Sequence, residues 1–275
     1  MRSMERRGDN IHAGEGMKYE NIIYELDEGI ATVRLNRPEK RNRLSIQTLW
    51  EIINALERAR DDNEVKVIII TGTGDKAFCA GADIKEFIGN PNLVNRKQYE
   101  AYAKLCTVFS SLGKPSIASV RGLALAGGCG LAIYPDITIA SENAKFGTPE
   151  INVGVWPMMV SASLLRAVGR KRALEMMFTG DIINATEAER IGLVNKVVKN
   201  EHLEKETMAL ANKLKKKSPA IMKLGRDAFY TIMDMEFGKA IEHLREMIVV
   251  LLGTEDAQEG CKAFVEKRNP VWKGF

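Results

Sequence analysis

The apolar positions of this chain change their period as it proceeds. Asn21 to Leu26 and Ile30 to Leu35 alternate as two strands of a hairpin, with Asp27-Glu28-Gly29 as the turn. A helix follows from Ser45 as N-cap, with Ile46, Leu49, Ile52, Ile53 and Leu56 on one face. The unbroken run Val65 to Ile70, bounded by Thr71-Gly72-Thr73-Gly74-Asp75, predicts a buried strand. Leu105, Val108, Phe109 and Leu112 recur at helical spacing and stop at Gly113, with Pro115 beyond. A strand at 116–120, a glycine turn, a helix and a strand from Asp136 to Ala140 come next. This rhythm predicts an α/β core. From about Glu201 the pattern is helical only, in segments carrying Met208, Leu210, Ala211 and Leu214, then Met222, Leu224, Ala228 and Phe229, then Ala240, Ile241, Leu244 and Ile248.

Composition narrows the classes of function. The 275 residues are 45% hydrophobic and 28% charged, which suits a globular chain with a large core. No apolar run approaches the ~18 to 20 residues of a membrane span. Residues 1–16 are polar, have no secretory apolar stretch and read as a disordered tail, with Met17 an alternative start. Four scattered cysteines (Cys79, Cys106, Cys129, Cys261) show no ligand spacing and read as free thiols of a reducing cytoplasm. His12, His202 and His243 lie far from the glycine turns, so a Ser-His-Asp or Cys-His mechanism has little support. The formal charge of +4 suits an anionic nucleotide tail without calling for nucleic acid. Lys213, Lys215, Lys216 and Lys217 read as a solvated helix face, with phosphate or RNA contact as the alternative.

Two glycine-containing turns are the candidate chemistry. Phe78-Cys79-Ala80-Gly81-Ala82-Asp83-Ile84-Lys85-Glu86 follows one strand, and Gly122-Leu123-Ala124-Leu125-Ala126-Gly127-Gly128-Cys129 follows the next. Small residues let a ligand atom reach main-chain N–H groups, and one amide from each turn aimed at a single oxygen makes an oxyanion hole. These two segments, with Asn36-Arg37-Pro38-Glu39-Lys40-Arg41-Asn42, Phe146-Gly147-Thr148-Pro149-Glu150, Phe178-Thr179-Gly180 and Ala263-Phe264-Val265-Glu266-Lys267-Arg268, closely resemble the crotonase superfamily, or enoyl-CoA hydratase/isomerase family. The likeness spans about residues 19 to 272.

The resemblance implies an α/β spiral of repeated ββα units over residues 17–200 and a helical C-terminal region, 201–275, that packs subunits into homotrimers, commonly paired as hexamers. It implies an acyl-CoA substrate, no separate cofactor, oxyanion donors at the Ala82 and Gly127 amides, and Glu150 as the proton-transfer group. Coenzyme A would lie on the backbone around Ala80, Ala82, Asp83 and Ile84, with Lys40, Lys85, Phe264 and Lys267 near the nucleotide, the last two from a neighbouring subunit. Two departures matter. Gly130 stands where hydratases of the family carry a second glutamate, which puts a two-carboxylate hydration in doubt and keeps Δ3,Δ2-enoyl-CoA isomerisation open. Asp136 and Glu142 are candidate replacements. Trp156, Met158 and Met159 replace a glycine-rich stretch, as acyl-pocket wall or as core, and Phe87 to Tyr99 reads as a mobile covering loop. Hydration of a 2-enoyl-CoA ranks first, isomerisation second. A catalytically weakened or RNA-binding protein, and an acyl-CoA hydrolase or decarboxylase, are the rivals.

Overall fold

The computed structural model describes residues 18–83 and 94–275. The hairpin forms as expected: β1 (Ile22–Asp27) pairs antiparallel with β2 (Ile30–Leu35) through a two-residue turn at Glu28 and Gly29, whose positive φ angles of 43° and 83° match the right-handed twist of the strands. Helix α1 (Ile46–Asp61) starts at Ser45, whose side chain accepts from the Thr48 N–H, and it buries Leu49, Ile52, Ile53 and Leu56.

From there the chain winds as a spiral. Each turn contributes one strand to a large sheet, one short strand to a small sheet, and a helix. The large sheet runs β1-β2-β3-β5-β7-β10, with β3 (Val67–Gly72), β5 (Ser116–Val120), β7 (Ile137–Ser141) and β10 (Lys196–Val198) all parallel to β2. The small sheet runs β4-β6-β8-β9: β4 (Ala77–Cys79), β6 (Leu123–Leu125) and β8 (Lys145–Gly147) are parallel, and β9 (Ile182–Asn184) closes it antiparallel. Helices α2 (Val94–Ser110), α3 (Gly127–Ile133) and α4 (Met158–Thr179) follow β4, β6 and β8.

The apolar run in β3 has a direct cause. Ile68 and Ile70 face the main core, with α1 and α2, while Val67 and Ile69 face a second layer with Ile30, Ile117 and Ile139. That second layer is covered by Leu203 and Ala211 of α6 (Leu203–Leu214). A sheet buried on both faces has no polar positions to alternate.

Helix α5 (Ala185–Arg190) joins the two sheets' last strands, and α7 (Pro219–Ile232), α8 (Phe237–Leu252) and α9 (Glu255–Val265) complete the all-helical end. Their apolar faces are only partly used. Ala240 is buried, yet Ile241, Ile248, Phe229, Phe237 and Phe264 are exposed.

Several boundaries move. The run from Val65 becomes strand only at Val67, and α2 ends at Ser110 rather than Gly113. The segment Phe87 to Tyr99 is helical from Val94 onward, since it forms the first turns of α2, and its earlier part lies outside the described residues. The short strands β4, β6, β8, β9 and β10 are too brief, at three residues each, to show a period. Lys215 of the basic run bonds to the Glu28 carboxylate at 2.9 Å and helps dock α6 on the hairpin, while Lys213, Lys216 and Lys217 are exposed.

Candidate active site

The three motifs meet because β4, β6 and β8 are adjacent and parallel. Their carboxyl ends therefore lie side by side, the usual place for a ligand site in parallel sheets. Cys79 ends β4 and leads to Ala80-Gly81-Ala82, Leu125 ends β6 and leads to Ala126-Gly127, and Gly147 ends β8 and leads to Thr148-Pro149-Glu150. The Ala126 N–H donates to the Gly147 carbonyl at 2.9 Å, which locks the second turn to the third.

The first and second turns touch. Gly81 has φ +92°, and a methyl group built on it would stand 2.8 Å from the Ala126 Cβ and 3.6 Å from the Gly127 nitrogen. Only glycine both adopts that backbone and allows that approach. Gly128 is tighter still: its Cβ would lie 2.1 Å from the Cys79 carbonyl oxygen. Between them Ala126, a residue with a Cβ, holds φ 55° and ψ −129°. Such backbone strain persists only where the surroundings over-determine it, and it collects at functional sites.

Neither candidate donor has a main-chain acceptor among the described residues. Gly127 is the first residue of α3, so its N–H has no intrahelical acceptor. At the first turn Leu44 donates to the Gly81 carbonyl at 2.8 Å and Asp83 donates to the Leu44 carbonyl at 3.0 Å. This parallel bridge pins the turn while leaving the Ala82 N–H without a main-chain acceptor among the described residues.

Glu150 opens a short 3-10 turn, Pro149–Val153, capped by Gly154. Its Oε2 is buried without a hydrogen-bond partner among the described residues, and burial raises its carboxyl above the ordinary range, partly offset by a hydrogen bond from its own main chain. The Phe178-Thr179-Gly180 motif supports this turn from behind: Gly180 ends α4 against the Ile151 and Asn152 side chains. Asn36 to Asn42 has a comparable supporting task. Buried Asn42 accepts from the Arg37 N–H at 3.0 Å and donates to the Thr73 and Ala77 carbonyls at 3.1 and 2.8 Å, tying the chain before β4 in place. Arg37 in turn faces the Asp83 carboxylate at 3.5 Å.

The candidate coenzyme residues scatter. The Ala80 and Asp83 N–H groups are taken by the Arg41 and Leu44 carbonyls. Lys40 is exposed on the turn Pro38–Lys40, and Ile84 and Lys85 lie outside the described residues. Phe264 and Lys267 are exposed at the end of α9, which packs on α7 and α8.

Neither proposed replacement carboxylate serves. Asp136 precedes β7 at the opposite, amino end of the strands and is held by Ser116, Arg226 and Tyr230, and Glu142 is exposed. Trp156 is half-buried and packs on Phe178 with ring centroids 5.5 Å apart, Met159 packs on the core, and Met158 is exposed. The buried thiols of Cys79 and Cys129 are pushed up to about 12 by desolvation, so they are inert at neutral pH. Among the described residues no three His, Cys, Asp or Glu side chains group as a metal site, and no helix is long and apolar enough to cross a membrane.

The periodicity left out Tyr102 and Tyr134. Both sit in apolar stretches, and their buried hydroxyls flank the first turn of α3. A hydroxyl at a core position of a helix was the single available sign.

Comparison with known proteins identifies the family of this fold. The family model described as enoyl-CoA hydratase/isomerase matches residues 25–274. The chain is 41% identical over 254 residues to the crotonyl-CoA hydratase of Syntrophomonas wolfei, covering 92% of this chain and 97% of that one. It is 38% identical over 253 residues to the short-chain-enoyl-CoA hydratase of Clostridium acetobutylicum, with 92% and 97% covered. Among solved structures, human enoyl coenzyme A hydratase domain-containing protein 3 superposes with TM-score 0.89 at 37% identity, over 92% of this chain and 100% of that one. An enoyl-CoA hydratase from Bacillus anthracis superposes with TM-score 0.89 at 32% identity, over 93% and 100%. With this spiral fold and these likenesses, the chain belongs to the enoyl-CoA hydratase/isomerase family.

Proposed function

We propose that this chain adds water to a 2-enoyl-CoA, with the Ala82 and Gly127 amides as oxyanion donors and Glu150 as the proton carrier. The observation that carries it is that three adjacent parallel strand ends lead into the Ala82 turn, the Gly127 turn and Glu150, whose Oε2 is buried without a hydrogen-bond partner among the described residues. The relatives named as hydratases of crotonyl- and short-chain enoyl-CoA support the same substrate class.

The chemistry follows from the groups present. A thioester conjugated to a double bond takes a nucleophile at its β-carbon, and the electrons move to the thioester oxygen. Amides held in place before the reaction stabilise that charge without titrating, and each such donor is typically worth about 3 to 4 kcal/mol. The α3 amino end adds a favourable dipole. Glu150, ionised, takes a proton from water and returns it to the α-carbon. Burial keeps it a stronger base than a solvated carboxylate. No cofactor beyond the coenzyme A of the substrate takes part in these steps.

Gly130 supports a second use of the same groups. With one carboxylate, Glu150 can also carry a proton between the α- and γ-carbons, converting a 3-enoyl- to a 2-enoyl-CoA. The C-terminal helices, 201–275, join copies of this chain into a trimer or hexamer in this scheme. The support is the unused apolar surface that they carry: Phe237, Phe264 and Val265 are 77%, 85% and 79% exposed in one chain. Phe264 and Lys267 of one copy would then meet the nucleotide held beside Ala80, Asp83, Ile84, Lys40 and Lys85 of the next. Four unpaired thiols fit a cytoplasmic location.

A panel of 2-enoyl- and 3-enoyl-CoA thioesters tests the scheme. Hydration removes the absorbance of the conjugated thioester and isomerisation creates it. Wild-type protein is expected to remove it, and Glu150→Gln to do so at least ~100-fold more slowly. Equal rates in the two proteins would end the assignment of Glu150.

A further inference from the structure

We propose that the Tyr102 hydroxyl shares the attacking water with Glu150, doing the work for which this chain has no second carboxylate. The inference rests on the hydration reading above and deepens it.

Three observations converge. First, position 130 has no room for a longer side chain. A Cβ on Gly130 would meet the Tyr134 Oη at 2.7 Å, its Cζ at 3.0 Å and the Val160 Cγ2 at 3.1 Å, so Tyr134 fills the space that a glutamate there would need. Second, Tyr102 reaches the neighbouring position on the same helix turn. Its ring, carried by α2, lies over Gly127, where an added Cβ would stand 2.6 Å from Oη and 2.9 Å from Cε1. The tyrosine is 5% exposed, and its hydroxyl has no hydrogen-bond partner among the described residues. Third, Glu150 Oε2, on the segment hydrogen-bonded to Ala126, is buried without a hydrogen-bond partner among the described residues, as are Thr148 Oγ1 and Asp83 Oδ1 at the same strand ends. Burial raises the Glu150 carboxyl above its ordinary range.

Buried hydroxyls without partners are uncommon and costly, so one beside a candidate oxyanion donor is better explained by a ligand than by packing. The two tyrosines differ here. Tyr134 has the Cys106 thiol within hydrogen-bonding reach, whereas Tyr102, with Cys79 and Cys106 also near it, feels the Glu150 charge. Burial, more than that charge, holds the Tyr102 phenol far above its usual range, so it stays protonated and neutral throughout the working pH.

A neutral phenol can orient water without competing for its proton. The water gives one hydrogen to Glu150, is fixed by the Tyr102 hydroxyl at a second position, and turns a lone pair to the β-carbon. As the carbon–oxygen bond forms, the O–H bond to Glu150 breaks, its proton moves to the carboxylate, and the π electrons pass to the thioester oxygen. Glu150 then delivers that proton to the α-carbon. Tyr102 keeps its own proton, and the sum is one water added.

The test compares wild type, Tyr102→Phe and Glu150→Gln in two assays: hydration of a 2-enoyl-CoA, and binding of acetoacetyl-CoA, whose enolate absorbance reports the amides without any water step. Tyr102→Phe is expected to hydrate ~100-fold more slowly while binding acetoacetyl-CoA within about twofold of wild type. Hydration within about threefold of wild type, with Glu150→Gln inactive, would overturn the role of Tyr102 and leave the hydration scheme standing. So would parallel losses of hydration and binding, which mark a packing role. No hydration by wild type, or none lost in Glu150→Gln, would overturn the scheme itself. If Tyr102→Phe does not fold, difluorotyrosine at position 102 keeps the shape and acidifies the phenol: a changed hydration rate with unchanged binding supports the assignment, and an unchanged rate overturns it.

Discussion

Two acidic side chains fourteen positions apart have opposite surroundings. Asp136, at the amino ends of the strands, accepts from the Ser116 N–H and hydroxyl at 2.8 Å each, from Arg226 Nε at 3.0 Å and from the Tyr230 hydroxyl at 2.7 Å. Glu150, at the carboxyl ends, is partly desolvated, and its Oε2 has no hydrogen-bond partner among the described residues. Asp136 is thus fully used in joining α7 to the large sheet. In the proposed hydration scheme, Glu150 is held ready for substrate and water. Satisfied polar groups build a fold, and an unsatisfied one marks where the fold carries a cost for the sake of chemistry.

Breaking the satisfied end should have the largest effect on stability. Asp136→Ala strands the Arg226 guanidinium, which is 9% exposed, so about 3 kcal/mol of stability should be lost, seen as a lower urea midpoint. The rate per folded molecule should stay within about threefold, because the change is at the far end of the strands. A smaller effect, directed at activity, is expected for Gly128→Ala. Its methyl cannot coexist with the Cys79 carbonyl 2.1 Å away, so α3 must shift and carry the Gly127 amide with it. A displacement on that scale should slow turnover roughly 100-fold, measured under saturating 2-enoyl-CoA.

The smallest effect sharpens the contrast through pH. The folded-state pKa of Glu150 is raised above its unfolded value. The protonated carboxyl is therefore the form favoured by folding, and its contribution is present below the unfolded pKa and lost as pH rises through the raised value. Glu150→Gln should match wild type in melting temperature at acid pH and exceed it by a modest margin at neutral pH, while catalysis shows the opposite order. Equal melting at both pH values would remove the strain assigned to this carboxylate.

Much of the fold was legible because burial writes itself as periodicity. The hairpin, α1 with its Ser45 cap, β3, β5, β7 and the all-helical end after about residue 200 all stand where the apolar pattern puts them. The three-residue strands of the small sheet did not register, since three residues show no period and their pairing is entirely non-local. The apparent loop from Phe87 hid the start of α2, whose first turns carry few apolar residues.

What the amino-acid sequence determined by itself was local: which residues are small enough for close backbone approach, which stretches are helix or strand, and which family the motifs resemble. Which residues stand together was decided by the tertiary structure alone. Strand order puts the ends of β4, β6 and β8 side by side, sends Asp136 to the other end, and lays a tyrosine from α2 over Gly127. Spacing along a chain cannot encode that, because strand neighbours are chosen by packing across the sheet rather than by separation in sequence.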